Sequence, residues 1–163
     1  MAEEQGKEYA GFIQKELERE YGRRDTVNSR AATAITSATG LVTIVLAVVA
    51  VAKGKDFTLS GCALVSLWVA LLSFLASAIL AVLAGINWKY KATSVESMYR
   101  MVGDRWEDDT EVTARNLAAL CNVVTIKSLR GGTTIKYRLL LGSAGFQALA
   151  IAALAASVIA LVT

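Results

Sequence analysis

Charge is laid down in blocks along this chain. Residues 31–52, 57–88 and 139–163 contain no Asp, Glu, Lys or Arg, and nearly every charge falls in 1–30 and 89–138. A helix needs about 20 mostly apolar residues to cross a bilayer, and the three uncharged runs hold 22, 32 and 25. A buried helix of a water-soluble bundle normally keeps a polar face, and none of these runs carries a charge to mark one. The pattern predicts an all-α integral membrane protein with three transmembrane helices plus cytoplasmic helices.

The charged blocks are helical too. In residues 3–30, Tyr9, Ile13, Leu17 and Tyr21 recur every four residues among Glu and Arg, as in an amphipathic helix. No proline or turn cluster separates this helix from the first uncharged run, so the two can be continuous. Proline is absent from the whole chain, which argues against helices broken at a proline. Lys53-Gly54-Lys55-Asp56 is a short polar turn that makes the first two spans an antiparallel hairpin. The second run is longer than the ~30 Å hydrocarbon core requires. Its buried part is expected at about 61–86, with the helix continuing through Arg100. Between Gly103 and Glu111 lie Asp104, Glu107, Asp108, Asp109 and Glu111. They read as a turn and helix start, with Asp109 or Thr110 as the cap of a helix over 110–130. A divalent-cation site is the alternative, although the spacing matches no EF-hand. Gly131-Gly132 is expected to end that helix rather than to cradle a phosphate. The resulting organisation is a cytoplasmic amphipathic helix (1–30), a transmembrane hairpin (31–88, spans about 31–52 and 61–86), a cytoplasmic helical segment (89–138) and a third transmembrane helix (139–163).

The distribution of cations orients this layout. Of 17 Lys and Arg, six precede the first run, nine lie between the second and third, and two lie between the first and second. The positive-inside rule then puts the N-terminus in the cytoplasm and the C-terminus outside. Residues 53–60 face outward. The first thirty residues lack the short apolar core of a signal peptide, so the first span is expected to insert uncleaved. The expected interface anchors are Arg23, Arg24, Arg30, Trp88, Lys89, Tyr90, Lys91, Lys136 and Arg138. Apolar residues make up 55% of the chain and mean hydropathy is +0.47, above the usual soluble range. Both signs of charge are concentrated on the cytoplasmic side, so the net +3 bears chiefly on anionic lipid head groups.

Small residues mark candidate helix contacts, because membrane helices associate by close packing and interhelical hydrogen bonds. Ser29, Thr33, Thr36, Gly40, Thr43, Ala47 and Ala50 repeat every 3.5 residues in the first span. Ala63, Ser66, Ala70, Ser73, Ser77, Leu80 and Ala84 do the same in the second. A 3.5-residue period implies left-handed packing, and the two seams are expected to face each other. In the third span Ala144, Ala148, Ala152, Ala156 and Ala160 recur every four residues, packing within the chain or on a neighbouring copy. The hydroxyls either line an aqueous path in an assembly or bond neighbouring helices and preceding carbonyls. The second use is the commoner.

Chemistry is sparse. There is no phosphate-binding loop, dinucleotide fingerprint, nucleophile elbow or Cys-x-x-Cys. Histidine is absent, which removes the usual base and a common metal ligand. Cys62 and Cys121 fall on opposite sides of the membrane in this topology and cannot pair. No ionisable residue lies inside a span, which argues against a pump or coupled transporter. The expectation is not an enzyme, with no cofactor, no metal and no nucleic-acid partner; the partners expected are the lipid bilayer and further copies of the chain.

The layout resembles the small bacterial transmembrane effectors of the Pycsar type and the related CBASS and SLATT-like proteins. The residues behind the comparison are 18–31, EREYGRRDTVNSRA, running straight into ATAIT, and the basic stretch 126–137 before the last span. The resemblance implies a protein that assembles and impairs the membrane when triggered, in antiphage defence. Such effectors often carry a cyclic-nucleotide sensor, for which about 80 cytoplasmic residues leave little room. A cytoplasmic partner or nucleotide signal stays open. The alternatives are a non-permeabilising scaffold, such as a superinfection-exclusion or accessory subunit, and a holin-like lysis protein.

Overall fold

The computed structural model describes residues 4–53, 61–86, 88–103, 105 and 107–162. Four helices appear in the order α1 (Lys7–Lys53), α2 (Gly61–Gly85), α3 (Val95–Val102) and α4 (Glu111–Val162), with no strand among the described residues. Three of them, α1, α2 and α4, are long and apolar enough to cross a membrane.

The helix boundaries follow local chemistry. α1 begins after Gly6, whose φ of 80° suits glycine, and runs unbroken from the charged segment into the apolar one. Most of the turn at 53–56 lies outside the described residues. α2 ends at Gly85 rather than continuing through Arg100; residues 88–94 have no regular structure, and a separate helix follows. Ser94 starts α3 by accepting a hydrogen bond from Ser97 N (3.1 Å), one of the N–H groups a helix start leaves orphaned. Thr110 caps α4 in the same way through Thr113 N (3.3 Å), and Glu111 complements the dipole in the first turn.

Gly131-Gly132 does not end a helix: α4 passes through both. Glycine in a helix interior costs only ~1 kcal/mol, so a pair can be tolerated where something else requires it. At Gly132 the requirement is space. A Cβ there would lie 2.6 Å from Cε1 of Tyr90, so the ring rests directly on the glycine backbone.

The chain divides into two compact units, Met1–Thr26 with Asn87–Thr134 and Val27–Ile86 with Ile135–Thr163. In the first, Ile126 and Leu129 are buried with Thr125, Thr133 and the carboxylate-bearing Glu20. The second is built on seven-residue spacing. Among its buried positions, Ala31, Ala38 and Val45 on α1, Ala63, Ala70, Ser77 and Ala84 on α2, and Lys136, Ser143, Ala150 and Ser157 on α4 follow that spacing, with Val27, Ser73, Phe74 and Ala81 buried beside them. A heptad repeat of contacts is the signature of left-handed, shallow-angle packing. At its centre Val45, Phe74 and Ala150 form an apolar layer, flanked by Leu41, Val42, Leu67 and Leu154.

In this second unit most of the buried side chains are small or carry a hydroxyl, and many bulky apolar ones lie outside. Trp68, Leu72, Leu75, Ile79, Leu149, Ile151 and Ile159 are all exposed, from 50% to 64%. A water-soluble bundle has the reverse distribution, and contiguous apolar exteriors of this extent mark an interaction with something apolar.

Candidate functional site

The inward seam of α2 comprises Ala63, Ala70, Ser73, Ser77 and Ala84, all buried, with Ser66 half-buried. Hydrogen bonds join this seam to α4. Ser77 Oγ and Ser143 Oγ lie 2.9 Å apart, Ser143 Oγ is within 3.0 Å of Ser77 O, and Ser157 Oγ donates to Ala63 O (3.1 Å). Ser66 bonds locally to the carbonyls of Cys62 and Ala63. These are buried polar groups with partners, as a low-dielectric interior demands.

The seam read in the first span is not opposite that of α2. Ser29, Thr33, Thr36, Gly40, Thr43 and Ala47 are all exposed, while Val27, Ala31, Ala38 and Val45 are buried. Gly40 lies nine residues after Ala31, ~180° around a helix at 3.6 residues per turn. The strip is thus on the opposite side of α1 from its packed face. Thr33, Thr36, Thr39 and Thr43 each return their hydroxyl to the carbonyl four residues back, at 3.0–3.1 Å. Such back-bonding removes the cost of a hydroxyl on an apolar exterior. A Cβ at Gly40 would meet nothing within 4 Å. The side chain of Ala50 lies outside the described residues.

The alanine ladder of α4 also faces outward. Ala144, Ala148, Ala152 and Ala156 are exposed and Ala160 is half-buried, because the packed face of α4 repeats every seven residues rather than every four. The intrachain packing that the ladder left open is therefore made by Ser143, Ala150 and Ser157 instead. Two small-residue strips, one on α1 and one on α4, interrupt the apolar exterior.

The basic and aromatic residues expected at the interface divide into several environments. Lys136 is fully buried and donates to Asn28 Oδ1 (2.8 Å), so it is an internal polar contact rather than an exposed anchor. Its position seven residues before Ser143 places it on the packed face. Trp88, Lys89, Lys91 and Arg138 are exposed. Arg24 lies over the rings of Tyr21 (5.5 Å) and Tyr90 (5.9 Å), within cation–π range, and Tyr90 in turn covers Gly132. Arg30 is exposed and has no hydrogen bond or ion pair among the described residues.

The first unit holds a charge cluster that the sequence pattern did not bring together. Arg130 donates from Nε to Glu20 Oε1 and from Nη2 to Glu16 Oε2, both at 2.8 Å. Arg19 bonds the other oxygen of Glu16 (2.8 Å), and Arg23 lies 3.9 Å from Oε2 of Glu20. The hydrogen bond to Glu20 and then that carboxylate's charge hold the Arg130 guanidinium above its ordinary pKa, with Glu16 adding less and desolvation opposing. The signal available was the four-residue spacing of Glu16 and Glu20 on α1, without any sign of which cation meets them.

Asp104 lies outside the described residues, and no group of three or more Cys, Asp or Glu side chains among the described residues is arranged to hold a metal ion. Cys62 and Cys121 are both free thiols. Comparison with protein-family models, with characterised proteins and with solved structures finds no match.

Proposed function

We propose that α1, α2 and α4 cross the bacterial inner membrane with the N-terminus in the cytoplasm and the C-terminus outside. Several copies then assemble into an effector that disrupts or depolarises the membrane. The observation that carries this reading is the exterior of the second unit, bulky and apolar except for the strips at Thr33–Thr36–Gly40–Thr43 and Ala144–Ala148–Ala152–Ala156. Lipid offers no penalty for exposing Leu or Ile, and small residues on a lipid-facing surface allow another backbone to approach closely. The placement in antiphage defence rests on the resemblance in layout. Expression in bacteria, with membrane potential and growth followed during phage challenge, tests the function. Loss of potential and protection supports it; an unchanged potential with no protection at good expression overturns it.

A second reading is a non-permeabilising scaffold. The observation that favours it is the back-bonding of the α1 threonines, which leaves their hydroxyl protons engaged within their own helix. It predicts a stable partner in a pull-down and no ion leak.

A further inference from the structure

In the second unit a half-open groove of about 240 Å³ runs between α1 and α4, lined by Arg30 and Ala34 on one wall and by Tyr137, Leu140, Leu141 and Ala144 on the other. Gln147, which also lines it, donates to Ala34 O (3.0 Å) and ties the walls together. The groove carries its one charge, Arg30, at one end and is lined mainly by apolar side chains beyond it, where the Gln147 amide is engaged by Ala34 O. Arg30 is the last charged residue before the uncharged run of α1, and Tyr137 lies beside Arg138, the last before that of α4. From Tyr137 to Ala144 the lining advances seven residues, ~10 Å along a helix. No acidic residue lines it.

We infer that this groove seats an anionic phospholipid of the cytoplasmic leaflet, with the phosphate at Arg30 and one acyl chain along Leu140, Leu141 and Ala144. The inference rests on the membrane reading above. Three features select a lipid. The guanidinium presents a fork of N–H donors matched to phosphate oxygens, and Arg30 has no partner among the described residues. The cation stands at the boundary where a head group lies, whereas the apolar lining continues toward the middle of the span. The cavity is smaller and more open than the ~300–1,000 Å³ pockets that enclose soluble ligands, yet an elongated chain needs no enclosure when lipid covers its other side. Basic recesses between membrane helices on the cytoplasmic side are recognised head-group sites.

The test uses the full chain, purified in mild detergent from bacterial membranes and examined by native mass spectrometry after titration with phosphatidylglycerol or phosphatidylcholine. One phosphatidylglycerol per chain should be retained in preference to phosphatidylcholine. Arg30→Gln should lower that preference about fivefold, the equivalent of ~1 kcal/mol for one cation at an anionic surface. Lys15→Gln, an exposed cation outside the groove, should leave the retained lipid in place. Equal retention by the Arg30→Gln variant and the original chain overturns the inference, as does equal retention of the two lipids. Alkaline carbonate extraction separates the two failures. A chain that resists extraction but holds no lipid defeats the groove alone, and a chain that is extracted defeats the membrane reading and the groove with it.

Discussion

Replacing Gly131 by alanine should stabilise the chain, whereas the same change at Gly132 should bring no gain. Both glycines sit inside α4, so each substitution gains the ~0.5–1 kcal/mol by which Ala exceeds Gly in a helix interior. At Gly131 a new Cβ meets nothing within 4 Å, and that gain should appear in full. At Gly132 the Cβ would stand 2.6 Å from Tyr90 Cε1 and 3.4 Å from Cδ1 and Cζ, whereas carbon atoms prefer ~3.5–4.0 Å. The ring must move by roughly 1 Å, away from the position in which Arg24 lies 5.9 Å from its centroid. Overpacking of this kind costs about 1–3 kcal/mol. The low end applies because Tyr90 belongs to the irregular link 88–94, which can yield. The two variants should therefore differ by about 1 kcal/mol, with Gly131→Ala the more stable. Thermal or denaturant unfolding of the full chain in detergent measures the gap. Tyr90→Ala should abolish it, because the atom that Gly132 accommodates is then absent. Equal destabilisation by both alanines would mean that the glycines stop the helix after all. A gap that survives Tyr90→Ala would refute the space argument.

The remaining expectations concern polarity and facing. Ser77→Ala and Ser143→Ala should show a coupling of about 0.6 kcal/mol in a double-mutant cycle, the usual worth of a hydrogen bond between membrane helices; additive effects would show that the 2.9 Å contact contributes nothing. Ala70→Leu, at a fully buried position, should destabilise the protomer by about 1–3 kcal/mol. Ala152→Leu and Gly40→Leu, on the outward strips, should leave protomer stability nearly unchanged while reducing cross-linked oligomers, and undiminished cross-linking would remove the strips from the assembly. Arg130→Gln should lower the melting temperature more than Arg19→Gln. The first leaves the buried Glu20 carboxylate only Arg23, 3.9 Å away, and the second breaks an exposed pair on Glu16. Equal effects would show that Glu20 draws nothing from Arg130.

Local pattern was enough for the existence and type of the long helices, because an uncharged run of twenty or more residues has few other structures open to it. Facing was a harder problem. In α2 the small residues and the packed residues coincide, so the 3.5-residue seam at Ala63, Ala70, Ser77 and Ala84 could be read directly. In α1 both faces carry small residues, Ala31 and Ala38 on one side and Thr36 and Gly40 on the other. Residue size alone does not separate two faces that both carry small residues. Gly132 failed for another reason: its partner Tyr90 is 42 positions away, beyond any local stop rule. Lys136 was legible in principle through its seven-residue spacing from Ser143, but a lysine before an uncharged run looks like an interface anchor until Asn28 is seen beside it.

The same facing constrains how any leak could form. Inside one protomer, α4 presents Lys136, Ser143 and Ser157 to the packed interior, which at first sight forms a polar line. The line is broken at Ala150, where Phe74 and Val45 close the section with an apolar layer, and its hydroxyls are already bonded across the helices. Water would have to displace Phe74, which is only 1% exposed, and separate helices whose contacts depend on close packing. The effector reading therefore puts permeation between protomers, along surfaces that include the α1 strip. There the threonine hydroxyls need only rotate from their own i−4 carbonyls to face water, a change of rotamer rather than of fold. Thr36→Val together with Thr43→Val keeps the size and shape of the strip but removes its hydroxyls. If the strip lines the path, conductance in planar bilayers should fall while cross-linked oligomers persist. Unchanged conductance would place the path elsewhere and leave the α1 strip as packing alone.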